Sequence, residues 1–423
     1  MLEKIKTVIP QNILARVRPL YHYTLSLLSA TFYLFPSRKI FVIGVTGTKG
    51  KTSTVELIGS ILERAGYKIA LSNTVRFKVC GLSENNRLKM TMPGRFFLQR
   101  FLRKAVSSGC DYVILEMTSE GVKQFRHKFI SLNALVFTNL SPEHIESHGS
   151  YEKYRDAKLK IAQGLENSSK KRKLIVANND DKEGPRFLSL AIEEKYPFSL
   201  ADVKPFTLKK EGLSFTLKNR LVSSHLSGEF NLYNILAAVT LAKALRIGEE
   251  VIVEAIENFS GIPGRMQKID EGQDFTVVVD YAHTADSLSK VYEVFGTSQK
   301  ICVLGGTGGG RDVWKREKMG AVANAHCSHI VLTDEDPYDE DPRAIVEHIK
   351  KGVARKEIVE VIMDRREAIR EALSHAKRGD TVLITGKGTD AYIMGPQGSK
   401  LPWSDAEVVK EELRALSEKR SGW

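Results

Sequence analysis

The sequence has no apolar run long enough to cross a bilayer and no paired cysteine spacing. Its most apolar, aromatic-rich stretch is residues 20–35, which is shorter than the ~20 residues that a membrane-spanning helix needs. The four cysteines, Cys80, Cys110, Cys302 and Cys327, are scattered along the chain, so zinc ligation and a disulfide framework are both disfavoured. We therefore expect free thiols, as in a protein of the reducing cytoplasm.

The sequence also lacks a long basic tract, an RNA-binding signature, internal repeats and low-complexity segments. Its 63 basic and 51 acidic residues give a formal net charge of +12. This balance is compatible with phosphorylated substrates, an anionic lipid surface or a basic surface without a partner, and we expect no nucleic acid partner. With 42% hydrophobic residues, the 423-residue chain is expected to form two or three globular domains.

The segment 1–39 is predicted to be helical. Residues 20–35 lie between Pro19 and Pro36, with basic residues on both sides. An aromatic-rich apolar helix with basic flanks is typical of a membrane interface, but such a helix could equally dock on the next domain or on a second subunit. The sequence leaves these alternatives open.

From residue 40 onward, short apolar runs alternate with helical patterns, which predicts an α/β fold with mainly parallel sheets. We predict one domain at 40–262 and a second at 263–423, with residues 261–265, GIPGR, as the linker. Residues 203–230 are typical of short strands and turns. The predicted strands are 40–45, 111–116, 133–138 and 173–177 in the first domain and 275–280, 300–306, 329–334 and 380–386 in the second.

A candidate phosphate loop follows the first predicted strand. Gly47 and Gly50 let backbone N–H groups converge, and the helix that follows directs its positive end at a bound anion. Lys51 adds a full charge, and Thr52 is placed to hold Mg²⁺. The strict P-loop pattern requires glycine where this chain has Val45, so a strand-to-helix turn without a ligand is the alternative.

Polar residues also stand at the carboxyl ends of other predicted strands, where ligands collect in open α/β sheets. Glu116 is a candidate Mg²⁺ ligand there, although a cap or turn role would also explain it. His144 and His148 follow another strand, in a unit that includes Lys158. The helical pattern alone would place Lys158 on a solvated face. Asp280 ends a strand as a candidate ligand of ribose hydroxyls.

Further candidates lie nearer the C-terminus. Asn234 could contact a nucleotide or cap its helix, and His283 could stack on a base. Arg316 belongs to a basic cluster suited to a phosphate or carboxylate. The acidic loop 333–341 suits an ammonium group or plain solvation, and residues 385–395 form a second Gly-Lys loop.

These motifs occur together in the order seen in Mur ligases. The stretches that carry the resemblance are GVTGTKGKT, LEMTSEG, TNLSPEHIESHG, GEFNLYNILAA, GRM, VVDYAHTADSL, GGRDVWKREKMG, DRREAI and TGKGTDAY with SDAE. Over about residues 40–410 the chain resembles this family, and most closely its third-residue-adding MurE type, the UDP-N-acetylmuramoyl-dipeptide amino-acid ligases. The resemblance implies a central P-loop ATPase domain with a parallel sheet and a C-terminal Rossmann-like α/β domain.

The resemblance implies ATP-dependent amide-bond formation that adds an amino acid, in our reading a diamino acid, to a muramoyl-peptide precursor of peptidoglycan. In that reaction the acceptor carboxylate attacks the γ-phosphate, and an amine then displaces phosphate from the acyl-phosphate. The implied cofactors are ATP, two Mg²⁺ ions and a CO₂-derived carbamate on Lys158. We expect a cytoplasmic monomer, at the inner face of the membrane if residues 20–35 are interfacial.

The resemblance also assigns site residues. The catalytic residues would be Lys51, Glu116, His144 and Lys158, and the metal ligands Thr52, Glu116, His144 and the Lys158 carbamate. The ATP-binding residues would be Gly47, Thr48, Lys49, Gly50, Lys51, Thr52, Ser53, Asn234, Arg265, Asp280 and His283. The acceptor would contact Thr91, Thr118, Gln124 and Arg126, and the amino acid would contact Arg316, Asp336, Tyr338, Gly386 and Asp390.

Three departures from the family pattern leave the substrates open. Only about 39 residues precede the phosphate-loop strand, so the domain that holds uridine diphosphate is nearly absent, and the acceptor could lack the nucleotide, be lipid-linked or be held differently. The loop that reads DNPR in diaminopimelate-adding members reads EDPY at 335–338, which favours lysine, ornithine or another diamine. The usual GKGHE reads GKGTD, and the usual SSH reads TSE.

Two other functions remain as alternatives. A folylpolyglutamate-synthase-like ligase would fit the two-domain size. A non-catalytic nucleotide-binding module is disfavoured, because such a protein would not need the residues of a second metal site.

Overall fold

The computed structural model describes residues 11–143, 145–218, 220–310 and 313–421. Its helices are α1 Gln11–Phe32, α2 Lys51–Arg64, α3 Arg95–Ser107, α4 Ser119–Lys123, α5 Ile145–His148, α6 Tyr151–Glu166, α7 Gly184–Leu188, α8 Glu229–Ala244, α9 Glu249–Glu257, α10 Ala285–Glu293, α11 Lys315–His326, α12 Pro342–Lys351, α13 Arg365–Ser374 and α14 Asp405–Ser421. Short 3-10 helices cover Pro36–Lys39, Leu200–Val203, Lys356–Ile358 and Pro396–Gly398.

The strands fall into four sheets. They are β1 Phe41–Thr46, β2 Ile69–Ser72, β3 Arg76–Val79, β4 Leu82–Asn85, β5 Tyr112–Glu116, β6 Ala134–Phe137, β7 Leu174–Asn178, β8 Glu194–Phe198, β9 Phe206–Lys209, β10 Gly212–Leu217, β11 Arg220–Ser224, β12 Gln267–Ile269, β13 Thr276–Asp280, β14 Lys300–Leu304, β15 His329–Leu332, β16 Val359–Val361, β17 Thr381–Thr385, β18 Tyr392–Met394 and β19 Lys400–Pro402.

The chain forms two compact units. Unit 1 comprises Met1–Pro205, Thr216–Val222 and Asn231–Phe259, and unit 2 comprises Phe206–Phe215, Ser223–Phe230 and Ser260–Trp423. The small sheet β11-β10-β9 confirms the prediction of short strands and turns within 203–230. The domain boundary at 262 stays a prediction.

Unit 1 is built on an eight-stranded sheet with the order β4-β3-β2-β5-β1-β6-β7-β8. Six neighbouring strands run parallel to one another, in the order β2-β5-β1-β6-β7-β8, whereas β3 and β4 add an antiparallel edge. Strand β1 lies at the centre, with Val45 opposite Glu116 of β5 and Thr46 opposite Phe137 of β6. This register brings the start of the phosphate loop to the end of the strand that carries Glu116, and it confirms the mainly parallel sheet.

Helix α2 confirms the predicted helical period after the phosphate loop. Its apolar side chains Leu57, Ile58, Ile61 and Leu62 are all at most 2% exposed. They recur at the spacing that places them on one face of a helix. Burial of this face holds the N-terminus of α2 at the carboxyl end of β1.

Unit 2 contains a six-stranded sheet with the order β12-β13-β17-β14-β15-β16. Only β12 is antiparallel to its neighbour in this sheet. Helix α11 packs against both α10 and α12, and α13 packs with α14. The unit therefore has the predicted Rossmann-like α/β architecture.

A buried ion pair fastens the carboxyl ends of two strands in unit 2. The guanidinium group of Arg365, on α13, donates two hydrogen bonds of 2.8 Å to the carboxylate of Asp405, on α14. It also donates to the carbonyl oxygens of Asp334 and Thr385, at 3.2 and 2.9 Å. Because both charged side chains are at most 1% exposed, removing one partner would leave the other charge buried and uncompensated.

Helix α1 corrects one prediction. Pro19 lies inside this helix, not before it. A proline inside a helix removes one backbone donor, and Pro19 is exposed. Among the described helices, none is long and apolar enough to span a membrane.

The cysteines correct a second prediction. Cys302 and Cys327 form a disulfide, so the prediction of four free thiols is wrong for these two. They are 25 residues apart in the sequence, and the crossover through α11 brings β14 beside β15, which spacing alone does not reveal. Cys80 and Cys110 are free thiols with sulfur atoms 2.9 Å apart. The disulfide weakens the argument from free thiols to a reducing compartment.

Candidate active site

The phosphate loop is fixed to the end of the neighbouring strand β6. The backbone N–H groups of Thr48 and Lys49 donate to the carbonyl and side-chain oxygens of Asn139, at 2.8 and 2.9 Å. The hydroxyl group of Thr138 donates to the carbonyl oxygen of Lys49 at 2.8 Å. These bonds hold the loop in one shape before any ligand binds. Asn139 belongs to the resembling stretch TNLSPEH and is one of the polar residues at the carboxyl ends of the predicted strands, but no specific contact was predicted for it.

The phosphate loop approaches helix α8 closely at Gly50. Gly50 has a φ of +77° and precedes the first residue of α2. A Cβ atom at Gly50 would lie 2.0 Å from Oδ1 of Asn234, whose Nδ2 atom donates to Asn231 at 3.1 Å. The structure thus brings Asn234 to the phosphate loop, and Lys51 lies there too, with Nζ 2.7 Å from the carbonyl oxygen of Thr48. Ser53 is buried in the first turn of α2.

Glu116 is the buried acceptor of a network of hydroxyl groups. Its Oε2 atom accepts hydrogen bonds from the Thr52 hydroxyl at 2.9 Å and from the backbone N–H and hydroxyl of Thr74 at 3.0 and 3.1 Å. The Thr74 hydroxyl also lies 2.9 Å from that of Thr91, an expected acceptor residue. Carboxylate and hydroxyl oxygens are the ligands that Mg²⁺ prefers, so Thr52 and Glu116 fit this ion. No sequence motif indicated Thr74.

Lys158 lies in the interior of unit 1 and not on the solvated face that its helix pattern suggests. Its side chain is 1% exposed, and Nζ donates to the carbonyl oxygen of Gly47 at 2.6 Å. Nζ also lies 4.8 Å from the ring centre of Tyr154. Burial lowers the pKa of Lys158 well below its ordinary value, and the charge of Lys51 lowers it further. The neutral amine is therefore favoured at this position.

A second ion pair lies beside the loop. The Nζ atom of Lys49 is 3.0 Å from Oε1 of Glu143, which is 7% exposed. The neighbouring residue His144, predicted as a metal ligand and catalytic residue, lies outside the described residues.

The four expected acceptor residues lie around α4, close to the end of β5. Thr118 caps α4 by accepting a hydrogen bond from the N–H of Gly121 at 3.1 Å. Arg126 donates to the side chain of Gln124 at 2.7 Å and also to the carbonyl oxygen of Met92. Burial lowers the pKa of Arg126, with the charge of Arg95 as a second cause. Gln124 and Arg126 thus form a local pair, whereas Thr118 has a capping role.

Glu120 stands where the family pattern has histidine. Its carboxylate accepts from the Ser147 hydroxyl at 2.6 Å and lies 3.2 Å from Nε2 of His148. The bond from His148 is the main cause that lowers the pKa of Glu120 to about 2. The carboxylate therefore stays ionised at neutral pH, and His148 has a partner on α4.

The expected nucleotide residues of unit 2 lie at the end of β13. The guanidinium group of Arg265 lies 4.2 Å from the ring centre of Tyr281. Asp280 accepts backbone hydrogen bonds of 2.7 Å from Met266 and from Ala282. Burial raises the pKa of Asp280, and Arg265 opposes this rise. The ring of His283 lies 4.8 Å from that of Tyr281. The structure thus brings Arg265, Asp280 and His283 together.

Two of the expected amino-acid residues, Asp336 and Asp390, contact a buried lysine for which the sequence indicated no role. Lys387, in the second Gly-Lys loop, donates to Asp336 at 2.7 Å and lies 3.2 Å from Asp390. Burial lowers its pKa, but the carboxylates of Asp390 and Asp336 raise it, with a net rise. The Tyr338 N–H donates to the carbonyl oxygen of Met394 at 3.0 Å.

Glu335 is the buried carboxylate of this cluster. Its side chain accepts from the Thr307 hydroxyl at 2.9 Å through Oε1, and its buried Oε2 atom has no hydrogen-bond partner among the described residues. A Cβ atom at Gly386 would lie 2.2 Å from this Oε2 atom. Glu340 holds Arg316 with two bonds of 2.6 and 2.8 Å, and Arg316 also donates to the carbonyl oxygen of Thr307 at 3.2 Å.

The fold and these groups define an α/β protein with a nucleoside triphosphate site of the P-loop type in unit 1. Residues 45–242 match the Mur ligase middle domain, and residues 264–388 match the Mur ligase, glutamate ligase domain. The chain is also 35% identical over 407 residues to the UDP-N-acetylmuramoyl-L-alanyl-D-glutamate--2,6-diaminopimelate ligase of Syntrophomonas wolfei, covering 92% of this chain and 81% of the relative. The chain therefore belongs to the Mur ligases, a family of ATP-dependent amide-bond-forming enzymes.

Solved structures agree with this family. A structure of a UDP-N-acetylmuramoyl-L-alanyl-D-glutamate--2,6-diaminopimelate ligase has 28% identity and a TM-score of 0.62, covering 89% of this chain and 79% of its own. The folylpolyglutamate synthase of Mycobacterium tuberculosis has a TM-score of 0.69 and covers 93% of this chain and 95% of its own. At 15% identity, the second likeness shows a shared fold alone.

Replacement of Gly50 by alanine tests the phosphate loop. We expect Gly50→Ala to weaken binding of an ATP analogue in the presence of Mg²⁺ roughly tenfold or more, because the new Cβ atom would collide with Asn234 in the cradle. Isothermal titration calorimetry measures the affinity. Gly66→Ala is the matched control, since Gly66 has a φ of +87° and no heavy atom within 4 Å of a new Cβ. Equal losses of affinity in both variants would contradict the assignment.

Proposed function

We propose that this chain uses ATP to join an amino acid to a muramoyl-peptide precursor of peptidoglycan through an acyl-phosphate. The observation that carries the proposal is the buried pair of Thr52 and Glu116, 2.9 Å apart beneath a preformed phosphate loop. Comparison supports it through the 35% identity to a ligase whose name gives UDP-N-acetylmuramoyl-L-alanyl-D-glutamate as acceptor. A folylpolyglutamate-type reaction has only the shared fold in its favour.

In this proposal each unit supplies its own groups. In unit 1 the phosphate loop and Lys51 bind the β- and γ-phosphates, and Thr52 and Glu116 hold Mg²⁺, which would neutralise charge on the transferring phosphoryl group. Thr91, Thr118, Gln124 and Arg126 contact the acceptor. In unit 2, Arg265, Asp280 and His283 contact the nucleotide. His144 is proposed as a ligand of a second Mg²⁺ ion on the resemblance alone.

Lys158 is proposed to react with CO₂. A neutral amine attacks CO₂ and loses a proton, which gives a carbamate with two oxygen atoms. The burial of Lys158 and the nearby charge of Lys51 both favour that neutral amine. A carbamate would replace a buried cation by an anion beside Lys51 and Lys49, and it would offer the oxygen ligands that a divalent ion prefers.

Replacement of Lys158 by alanine tests the carbamate. We expect Lys158→Ala to lower the ATP-dependent formation of the amide product by about a hundredfold or more, because an anionic ligand is lost from the centre of charge transfer. A short carboxylic acid that occupies the vacated space should restore part of the rate. Product formation is followed by liquid chromatography and mass spectrometry.

The matched control is Lys160→Ala, since Lys160 lies on the same helix α6 but is exposed. Its rate should equal that of the unmodified chain. A Lys158→Ala variant with full activity, or one that no carboxylic acid restores while the fold is intact, would contradict the carbamate.

The amino acid is proposed to be a diamino acid whose distal ammonium group meets Glu335. The unpartnered Oε2 atom of this buried carboxylate offers an acceptor, and Asp334 and Asp336 add negative charge. Because residues 335–338 read EDPY, the arginine expected for a distal carboxylate is absent from this loop. Lysine or ornithine fits these groups better than diaminopimelate. Asp336, Tyr338, Gly386 and Asp390 would line the same place, with Arg316 nearer the α-carboxylate.

We also propose that helix α1 rests on an anionic lipid surface. The helix turns its small residues Ser26, Ser29 and Ala30 inward, where they are at most 1% exposed. Its large apolar residues point outward, and they include Val17, Leu20, Tyr21, Leu27, Leu28 and Phe32. Leu20 is 67% exposed and Phe32 is 72% exposed, so the apolar face is the uncovered one. Such a face is typical of an interfacial helix.

The distribution of charge supports an anionic lipid surface as the partner of this face. Residues 4–55 and 85–110 contain no aspartate or glutamate. Arg18, Arg38 and Lys39 flank the apolar face, and Arg100 and Lys104 are exposed on α3, against which α1 packs. Basic side chains beside an apolar face attract anionic lipid headgroups.

The helix also contacts the expected acceptor loop. The Ser26 hydroxyl donates to the carbonyl oxygen of Phe125 at 2.8 Å, between Gln124 and Arg126. This contact supports an acceptor that is itself linked to lipid, at the inner face of the membrane. The protein would then be a cytoplasmic monomer that visits this face.

Vesicle flotation tests the lipid surface. We expect the protein to float with vesicles that contain anionic lipids and not with zwitterionic ones, and to be released by high salt. Leu20→Glu should weaken this binding roughly tenfold or more, because burying a leucine side chain is worth about 1.5–3 kcal/mol. Leu221→Glu is the matched control, since Leu221 is 66% exposed on β11. Binding that Leu20→Glu leaves intact, or no binding by the unmodified chain, would refute the proposal.

A further inference from the structure

Three metal-binding side chains meet in unit 2 at the amino end of strand β15. His329 is the first residue of β15, Glu360 lies in the neighbouring strand β16, and His375 follows helix α13. One ligand atom from each residue lies within 4.8 Å of the other two. The rings of His329 and His375 have centres 4.4 Å apart and are inclined by 72°. Among the described residues, this is the one such cluster of histidine, cysteine and acidic side chains.

The register of the sheet brings these side chains together. Val331 lies opposite Glu360 in the parallel pair β15–β16, and His329 is two residues before Val331. Side chains two residues apart in a strand point to the same face. His329 and Glu360 are therefore diagonal neighbours on one face of the sheet, and His375 reaches that face from the end of α13.

The hydrogen bonding of His329 is incomplete. Its Nε2 atom is buried and has no hydrogen-bond partner among the described residues. The nearest carboxylate oxygen, Oε1 of Glu360, lies 3.7 Å away, which is too long for a hydrogen bond. A buried polar atom without a partner is uncommon, and a bound ion is one of the arrangements that satisfy such an atom. Burial, with His375 as a second cause, lowers the pKa of His329, which agrees with a neutral ring.

We propose that His329, Glu360 and His375 bind a divalent transition metal ion of the zinc class. Two imidazole nitrogens and one carboxylate oxygen form a donor set that suits Zn²⁺ far better than Mg²⁺. Ligand atoms on a tetrahedral Zn²⁺ ion lie ~3.4 Å apart, so small rotations of exposed side chains would complete the site. Glu371, with Oε1 3.4 Å from Nε2 of His375, is placed to orient that ring or to supply a fourth ligand.

The proposed ion would have a structural role. It would link β15, the edge strand β16 and the end of α13. Hydrogen bonds and apolar contacts otherwise hold these elements together. The candidate amino-acid residues follow the opposite, carboxyl end of β15. Glu335 is six residues after His329, which corresponds to roughly 20 Å along an extended strand. The ion would therefore stabilise unit 2 without touching the reacting groups.

Zinc titration of the full chain tests this site. The protein is first treated with chelator and then titrated with Zn²⁺ in the presence of excess Mg²⁺, with binding measured by calorimetry and by equilibrium dialysis. We expect one equivalent of Zn²⁺ to bind and to raise the thermal midpoint of unfolding. His375→Ala and, separately, Glu360→Gln should weaken binding roughly tenfold or more and abolish the rise.

Both substitutions affect partly exposed side chains, and circular dichroism before metal addition establishes that each variant is folded. The matched control is His225→Ala, which removes an exposed histidine outside the cluster and should leave Zn²⁺ binding unchanged. Tetrahedral Co²⁺ spectra of the unmodified chain provide a second readout that is independent of stability. The proposal is overturned if no Zn²⁺ binds, or if His375→Ala and Glu360→Gln bind it as tightly as the unmodified chain.

Discussion

The candidate chemistry in unit 1 depends on one buried carboxylate, Glu116. It lies at the end of a central parallel strand and is 4% exposed. It accepts hydrogen bonds from Thr52, which is expected near phosphate, and from Thr74, which also contacts the expected acceptor residue Thr91. An ionised carboxylate in the interior needs such donors or a cation. The parallel register of β1 and β5 fixes its place, so the position of a divalent ion follows from sheet geometry before any loop is considered.

Buried positive charge is the second constraint. Lys158 in unit 1 and Lys387 in unit 2 are both at most 1% exposed, but their surroundings differ. Lys387 lies between two carboxylates that keep it charged, whereas Lys158 donates to a carbonyl oxygen and has Lys51 as a neighbour. The same residue type is thus a structural cation in one unit and a candidate nucleophile towards CO₂ in the other.

The sequence predicted the parts of the fold that strong periodicity controls. The eight predicted strands and the helix after the phosphate loop are present, because each is a continuous buried run. The strands that escaped prediction are β2, β3, β4, β8, β12, β16, β18 and β19. Apart from the buried β2, each carries at most two buried side chains, so its apolar run is short. Pairings that depend on the tertiary fold also escaped, such as the Cys302–Cys327 disulfide and the bond between Thr74 and Glu116.

The site was predicted in a similar way. Gly-rich loops and strand-end carboxylates were found by pattern, and the family motifs DRREAI and SDAE have a physical explanation in the buried pair of Arg365 and Asp405. No pattern distinguishes a buried lysine in a helix, such as Lys158, from an exposed one such as Lys160. The outward orientation of the apolar residues of α1 was likewise not predictable. Periodicity shows that a helix has an apolar face, but not whether this face points to the interior or to solvent.

Oxygen-isotope transfer from the acceptor carboxylate to phosphate reports directly whether the reaction passes through an acyl-phosphate. The muramoyl-dipeptide acceptor, as its UDP and lipid-linked forms, is labelled with ¹⁸O in its terminal carboxylate and incubated with ATP, Mg²⁺ and lysine, ornithine or diaminopimelate. We expect ADP, an amide product and one ¹⁸O atom in the released phosphate. Release of AMP, unlabelled phosphate, or no turnover with any acceptor and amine would contradict the proposed acyl-phosphate.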